Sequence, residues 1–304
     1  MYGYDTAVPL DVRTLSTRER DGVQIHDVSY ASPPGSRVTG YLVVPPGMGP
    51  FPALLFLHWG FGSRDSFLSE ARAYARAGAL SLLIDAPGFG ARQGDRRPGL
   101  HRIESAQRFL SQCLTDLRRG VDLLCSREDV DARRLAYVGH SLGSSVGGQL
   151  AGVEPRLGTC VLMAGFGELS RGWSLLPDER YTEAMRPHDG IRHIGASQAA
   201  FFFQFATRDE FISREAAQRF YTAAPEPKLL GWYEADHRMG AEALRDRAAW
   251  LGERLGLTPL HDATGLSDVK LPSRDVAKYY VARPVIAAFA LFSRSLGARP
   301  TSSP

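Results

Sequence analysis

The sequence contains no asparagine, only three lysines and only three cysteines. Without asparagine there is no acceptor for N-linked glycosylation, and the arginine-for-lysine bias is typical of a GC-rich bacterial genome. The cysteines, Cys113, Cys125 and Cys160, show no C-x-x-C spacing. Their number and spacing favour neither a disulfide framework nor a zinc site. We therefore expect a reduced, cytoplasmic protein that uses neither a metal nor a cofactor.

Long apolar runs are also missing. The longest candidate, residues 285–292, is much shorter than the roughly 18 residues of a membrane span, and the first residues lack the pattern of a secretory signal. The net charge is only +3, with no block of like charges, which does not favour a nucleic acid as partner. Hydrophobic residues make up 44% and charged residues 23% of the chain, as in ordinary globular proteins.

Short apolar runs alternate with helical patterns through most of the chain. Continuous runs of this kind are typical of parallel strands that are buried on both faces. Two β-like runs at the start, separated by a Pro-Pro-Gly turn, predict an antiparallel hairpin. Together these features predict an α/β fold with a mostly parallel central sheet and helices on both faces. The predicted strands are 23–29, 37–44, 53–57, 80–84, 135–138, 160–163, 200–205 and 228–233, and the main predicted helices are 65–77 and 103–125.

Two parts of the chain are distinguished by these patterns. Residues 1–257 form the predicted α/β domain, and residues 258–304 form a C-terminal helical extension. The extension carries an apolar segment that Pro284 interrupts, which predicts a kink or two short helices. Such a segment must be buried, either on its own domain or in a homodimer interface. We expect the homodimer.

The pentapeptide at 139–143 reads Gly-His-Ser-Leu-Gly and matches the G-x-S-x-G pattern. It follows the predicted strand 135–138 and precedes a segment rich in small residues. A sharp strand-to-helix turn needs glycine on both sides, because the backbone packs closely around a strained serine. The turn also presents the serine at a helix N-terminus, where backbone N–H groups face negative charge. We therefore expect Ser141 to be a nucleophile.

A serine nucleophile needs a base, and the base needs an acid that orients it. Asp209 follows the apolar strand 200–205, so it is expected at the carboxyl edge of the sheet, where catalytic groups gather. His237 lies in the loop after the strand 228–233. The chain order Ser141, Asp209, His237 is the order typical of this architecture. Glu210 is the fallback acid, whereas Asp236 is too close to His237 in sequence to reach its ring easily.

An oxyanion hole needs two backbone N–H donors. Leu142, directly after the nucleophile, is expected to supply one, and the glycine-rich loop 58–62 the other. We expect Gly60 to be the second donor, with Trp59 as the alternative.

The substrate pocket is expected near the same loop. Trp59, Phe61 and Phe89 are either ordinary core residues or the wall of an acyl pocket, and we expect at least one to line it. Residues 165–198, which include Trp173, are too many for a plain loop. We expect them to form a short helical lid over the site, the alternative being a surface excursion.

The ordered set of motifs resembles the α/β-hydrolase fold, and more narrowly the dienelactone hydrolases and acetyl-xylan-esterase-like serine hydrolases. The resemblance runs from about residue 38 to residue 255. The segments that carry it are 52–58, 85–90, 121–124, 130–134, 139–143, 224–228 and 233–237, together with Asp209. Dienelactone hydrolase itself uses a cysteine nucleophile, so Ser141 favours the esterases. Relatives usually carry His-Gly where this chain has His58-Trp59, which implies a narrower acyl site.

These observations predict a cofactor-independent serine hydrolase that cleaves a small-molecule carboxylic ester through an acyl-enzyme. Two alternatives use the same residues: a peptidase or amidase, and an acyltransferase or cyclase in a biosynthetic pathway. An idle site in a binding protein is disfavoured, because every expected position is filled.

Overall fold

The computed structural model describes residues 3–92, 102–172, 179–260 and 269. Within them, nine strands form one sheet and seven helices surround it. The strands are β1 (Arg13–Arg20), β2 (Val23–Ser32), β3 (Ser36–Val44), β4 (Phe51–Leu57), β5 (Leu80–Ile84), β6 (Val130–His140), β7 (Thr159–Met163), β8 (Ala200–Ala206) and β9 (Lys228–Tyr233). The helices are α1 (Leu68–Arg76), α2 (Ile103–Cys125), α3 (Leu142–Val153), α4 (Leu169–Gly172), α5 (Glu179–Met185), α6 (Arg214–Ala223) and α7 (Ala241–Leu255). None of the helices in these ranges is both long and apolar enough to cross a bilayer.

The strand order in the sheet is β1-β2-β3-β5-β4-β6-β7-β8-β9. The pairs from β1 to β3, and β3 with β5, are antiparallel. The six strands from β5 to β9 in this order are parallel. The predicted architecture, a mostly parallel sheet with an antiparallel start, is therefore confirmed. Since the carboxyl ends of parallel strands meet at one edge, the loops after β4 to β9 gather there.

Both faces of the sheet carry an apolar core. In β4, Leu55 and Leu57 belong to the cluster beneath α2, α3 and α6, whereas Leu54 and Phe56 belong to the cluster beneath α1 and α7. Successive side chains of a strand point to opposite faces, so a continuous apolar run serves both layers. This confirms the prediction of helices on both faces.

The first strand and the first helix differ from the sequence prediction. Strand β1 was not predicted, since all eight of its residues are exposed and their side chains show no apolar alternation. It joins the sheet edge through backbone pairing with β2. The helix predicted at 65–77 begins instead as a 3₁₀ turn, Arg64–Phe67, capped by Ser63, and continues as α1.

The insertion at 165–198 is helical where the structure describes it. It contains α4, α5 and three short 3₁₀ turns. Tyr181, Met185 and Ile194 are buried in the main apolar cluster. The backbone at Gly190 lies so close to α3 that an added Cβ would be 3.0 Å from the carbonyl oxygen of Ser145. The described part of the insertion therefore packs tightly against α3, while residues 173–178 lie outside the described residues.

The chain after α7 stays in contact with the domain as far as it is described. Leu257, Leu260 and Val269 pack against the cluster beneath α1 and α7. Residues 261–268 and 270–304 lie outside the described residues. The predicted helical extension and its homodimer interface fall in that part and stay predictions.

A buried ion pair joins the two helices on that face. Arg247 of α7 donates two hydrogen bonds of 2.7 Å to the two carboxylate oxygens of Glu70 in α1. Glu70 is 2% and Arg247 7% exposed, and Tyr74 also donates to Glu70 over 3.3 Å. In a buried pair each charge depends on the other, because neither can be solvated.

We expect Glu70→Gln to lower the free energy of unfolding by about 3–5 kcal/mol, since it leaves the Arg247 guanidinium buried without its counter-charge. Urea unfolding measures the change. Glu234→Gln is the matched control, because Glu234 pairs with Arg208 at the surface, with side chains 81% and 62% exposed. It should cost less than about 1 kcal/mol. Equal losses in the two variants would contradict a special role for the buried pair.

Candidate active site

Ser141 lies at the turn between β6 and α3, in a strained backbone conformation. Its φ of 53° and ψ of −103° fall in a region that side chains other than glycine rarely adopt. Such a conformation costs about 1–3 kcal/mol and persists only where the surroundings hold it. One restraint is the hydrogen bond of 2.8 Å that the Ser141 amide donates to the carbonyl of Met163 at the end of β7.

Gly143 holds the other side of the turn. Any Cβ there would run into the carbonyl oxygen of Leu57 at the end of β4. The Gly143 amide donates to the His58 carbonyl over 3.2 Å, and its own carbonyl accepts a hydrogen bond of 2.7 Å from Tyr137. The second glycine of the motif is therefore required because the first turn of α3 packs directly on the β4 backbone.

Asp209 and His237 form a buried hydrogen-bonded pair. The Nδ1 atom of His237 lies 2.9 and 3.0 Å from the two carboxylate oxygens of Asp209. The Asp209 Oδ1 atom also accepts hydrogen bonds from the amides of Phe211 (2.8 Å) and Ile212 (3.1 Å). His237 is only 3% exposed. Because a carboxylate accepts, Nδ1 carries a proton, and in the neutral ring the lone pair is therefore on Nε2.

His140 brings the loop of His237 next to the Ser141 turn. The carbonyl of His237 accepts a hydrogen bond of 2.8 Å from Nε2 of His140, the residue before Ser141. Phe211 contacts the His237 ring edge-on, with ring centroids 4.5 Å apart. Sequence reasoning missed both His140 and Phe211. Their only signal was adjacency, one beside the predicted nucleophile and the other two residues after the predicted acid.

Of the two alternative acids, Asp236 pairs with another side chain. The Asp236 carboxylate accepts hydrogen bonds of 2.7–3.2 Å from the guanidinium of Arg238. Glu210 lies in the turn in which Asp209 accepts hydrogen bonds from the amides of Phe211 and Ile212. The carboxylate that faces the imidazole of His237 is that of Asp209, and its role as the orienting acid stays a prediction.

The predicted oxyanion donors lie on two neighbouring loops at the carboxyl edge. Leu142 is the first residue of α3, where a helix leaves amide groups without an intrahelical partner. Gly60 follows β4 in a turn closed by the hydrogen bond of 2.9 Å from the Gly62 amide to the Trp59 carbonyl. An added Cβ at Gly60 would meet no atom within 4 Å, so there is open space beside its backbone.

The predicted substrate-binding aromatics divide into two groups. Trp59 is 7% exposed and Phe61 36% exposed, and their ring centroids lie 5.6 Å apart. Phe89 packs instead between His58 (5.7 Å) and Phe109 (6.2 Å) at the margin of the main core. Phe61 is thus the most accessible of the three rings, Phe89 is half-buried and Trp59 is almost fully buried, and their role in substrate binding stays a prediction. Trp173 lies outside the described residues.

Comparison with known proteins agrees with this architecture. The family defined by the α/β-hydrolase fold matches residues 52–272, which is more than two thirds of the chain. The chain belongs to the α/β-hydrolase family.

Individual relatives are distant. An uncharacterized protein of Mycobacterium tuberculosis (strain CDC 1551) is 27% identical over 206 residues, covering 66% of this chain and 68% of the relative. The acetyl xylan esterase from Paenibacillus sp. R4 superposes with a TM-score of 0.71 at 20% identity, covering 81% of this chain and 89% of its own. A Klebsiella pneumoniae protein, provisionally assigned as a dienelactone hydrolase, gives a TM-score of 0.53 at 21% identity over 67% and 83% of the chains. The predicted resemblance to these proteins is confirmed, and at these identities it shows a shared fold.

In this α/β hydrolase a buried carboxylate ties together the loops after β4 and β5. Asp85 is fully buried and accepts hydrogen bonds from the amides of Arg64 (2.8 Å) and Ala91 (3.1 Å) and from the hydroxyl of Thr39 (2.7 Å). Gly90 has a positive φ of 55°, and a Cβ there would overlap the Asp85 carboxylate. The loop 85–92 can wrap around the carboxylate only because this residue is glycine.

His58 links the same two loops through its ring. The amide of Ala86 donates to Nε2 over 3.1 Å, so Nδ1 carries the proton and donates to the Trp59 carbonyl over 2.6 Å. The predicted oxyanion loop is therefore held by a neutral, buried histidine whose tautomer is set by its two backbone partners.

We expect Asp85→Asn to lower the free energy of unfolding by about 1–3 kcal/mol, because one amide oxygen cannot accept all three donors that now share two carboxylate oxygens. Hydrogen exchange of the Arg64 and Ala91 amides should become faster. The matched control is Asp27→Asn, since Asp27 also pairs with Arg64 (2.7 Å) but is 22% exposed and pairs with its side chain only. If the Asp85→Asn protein is as stable as this control and both amides stay protected from exchange, Asp85 does not hold the two loops together.

Proposed function

We propose that this α/β hydrolase is a cofactor-independent serine esterase, with Ser141 as nucleophile, His237 as general base and Asp209 as the acid that orients it. The observation that carries the proposal is the buried Asp209–His237 pair, in which Nδ1 of His237 carries a proton and the neutral ring has its lone pair on Nε2. The His237 loop is also hydrogen-bonded to the residue before the strained Ser141. Esterases among the proteins of the same fold support the assignment.

In the first half of the reaction, Oγ of Ser141 attacks the ester carbonyl carbon while Nε2 of His237 takes the hydroxyl proton. The imidazolium that results is stabilised by Asp209 through Nδ1–H. Collapse of the tetrahedral intermediate breaks the bond to the alcohol oxygen, and His237 returns its proton to that oxygen. The products of this half are the free alcohol and an acyl-Ser141 ester.

In the second half, His237 takes a proton from water, and the hydroxide attacks the acyl carbon. The tetrahedral intermediate then expels Oγ of Ser141, which recovers its proton from His237, and the carboxylic acid leaves. The negative oxygen of both intermediates would accept hydrogen bonds from the amides of Leu142 and Gly60, with Trp59 as the alternative second donor. Donors held in place by the protein stabilise this charge without reorganisation.

The decisive experiment compares the wild type with Ser141→Ala on p-nitrophenyl esters of increasing acyl length, alongside a p-nitroanilide. The wild type should hydrolyse the esters and be labelled by a fluorophosphonate. The variant should fold normally but lose several orders of magnitude in turnover, because its nucleophile is gone. Labelling that survives the change would remove Ser141 from this role.

The same panel separates the alternative reactions. Turnover of the anilide alone would favour an amidase. Faster product formation when an added alcohol or amine competes with water would favour an acyltransferase, which differs mainly in how well the site excludes water.

We expect Asp209→Asn to lower kcat by roughly 10⁴-fold, because an asparagine can favour the wrong imidazole tautomer of His237. Glu210→Gln and Asp236→Asn are matched controls, since each makes the same change within two residues of a catalytic group. Each should lose less than about tenfold. A larger loss in Asp236→Asn than in Asp209→Asn would transfer the role of the acid to Asp236.

A further inference from the structure

The nucleophile and the base of the proposed site come from distant strands. Ser141 follows β6 and His237 follows β9, and β7 and β8 lie between these strands in the sheet. Neighbouring strands are about 4.8 Å apart, so three steps separate the two strand ends by roughly 14 Å. The loop that carries His237 must therefore fold back over the ends of β7 and β8 to reach Ser141. The hydrogen bond from His237 to Asp209 fixes the ring to the end of β8, not to β6.

His140 provides a direct connection between β6 and this loop. It is the last residue of β6 and is 6% exposed. Its Nε2 atom lies 2.8 Å from the carbonyl oxygen of His237, and the two imidazole rings lie 5.3 Å apart with planes inclined by 33°. Because a carbonyl only accepts, Nε2 of His140 must carry a proton.

Burial keeps the ring of His140 neutral. Burial is the main cause that lowers the pKa of His140, to about 3, and the nearby His237 and Arg247 act in the same direction. The hydrogen bond to the His237 carbonyl and the charge of Asp209 oppose the shift but are weaker. Nε2 can therefore donate to the carbonyl at neutral pH without placing a second positive charge beside the imidazolium that forms on His237 during the reaction.

We propose that His140 is a positioning residue, which holds the backbone of His237 against the Ser141 turn through the hydrogen bond from Nε2 to the His237 carbonyl. The inference rests on the proposed function and adds a second group that restrains the position of its base, His237. Asp209 sets the rotation and tautomer of the His237 ring, while His140 sets the distance of its backbone from the nucleophile. A displacement of about 1 Å in such a group can cost up to 10²-fold in rate.

The test replaces His140 by two side chains. His140→Phe keeps a planar ring but has no donor, whereas His140→Gln keeps an N–H donor at a position similar to Nε2. With a p-nitrophenyl ester, we expect His140→Phe to lower kcat by about 10- to 100-fold with KM within twofold, and His140→Gln to stay within about threefold of the wild type. Equal kcat values for the two variants, whether high or low, would overturn the inference.

His26 supplies the matched control. It is a partly exposed histidine in β2, whose Nδ1 atom lies 2.8 Å from the Thr17 hydroxyl, at the antiparallel end of the sheet. His26→Phe and His26→Gln should have similar kcat values. A lower kcat for His26→Phe would show that replacing any histidine by phenylalanine harms the enzyme. If the wild type itself neither hydrolyses the esters nor is labelled by a fluorophosphonate, the proposed function fails.

A measurement on the wild type tests the same hydrogen bond if His140→Phe does not fold. Nitrogen NMR of ¹⁵N-histidine-labelled protein distinguishes the tautomers of each imidazole. The His140 signals, assigned by their loss in His140→Gln, should show protonated Nε2 and unprotonated Nδ1 from pH 5 to pH 9. A ring that titrates in this range, or that carries its proton on Nδ1, would overturn the hydrogen bond and with it the inference.

Discussion

The close contact between the first turn of α3 and the ends of β4 and β7 is the constraint on which the site depends. The amide of Ser141 is bound to Met163 in β7, and Gly143 lies directly against Leu57 in β4. These contacts offset the cost of the positive φ at Ser141. They also hold this turn at the edge of the sheet where the other loops gather. Without them the turn would relax and the motif would be an ordinary strand–helix connection.

Around this turn, two histidines have structural roles, which differ from that proposed for His237. His58 joins the loops after β4 and β5, and His140 joins the end of β6 to the loop after β9. In both, a backbone partner determines which ring nitrogen carries the proton. A neutral buried imidazole suits this task because it offers one donor and one acceptor without a charge that would need solvation. His237 differs because a carboxylate, Asp209, faces its Nδ1.

Much of this arrangement could be predicted from the chain because it depends on local pattern. The parallel strands are buried on both faces and therefore read as short apolar runs, and β5, α2 and β9 have the predicted bounds. Strand β1 could not be predicted, since it is held by backbone hydrogen bonds and its exposed side chains carry no pattern. Asp209 was preferred to Asp236 on position; in the structure Asp209 faces the His237 ring, whereas Asp236 pairs with Arg238.

The sequence by itself determined the class of fold and proposed Ser141, Asp209 and His237 as candidates, because apolar periodicity and a glycine-flanked serine are local properties. Only the tertiary structure decided which groups surround them. The contacts of His140 and Phe211 with His237, and of Asp85 with the loops after β4 and β5, join residues from different strands. Such contacts depend on the order of the strands in the sheet and on how each loop folds back across its edge, and no pattern within one segment encodes them.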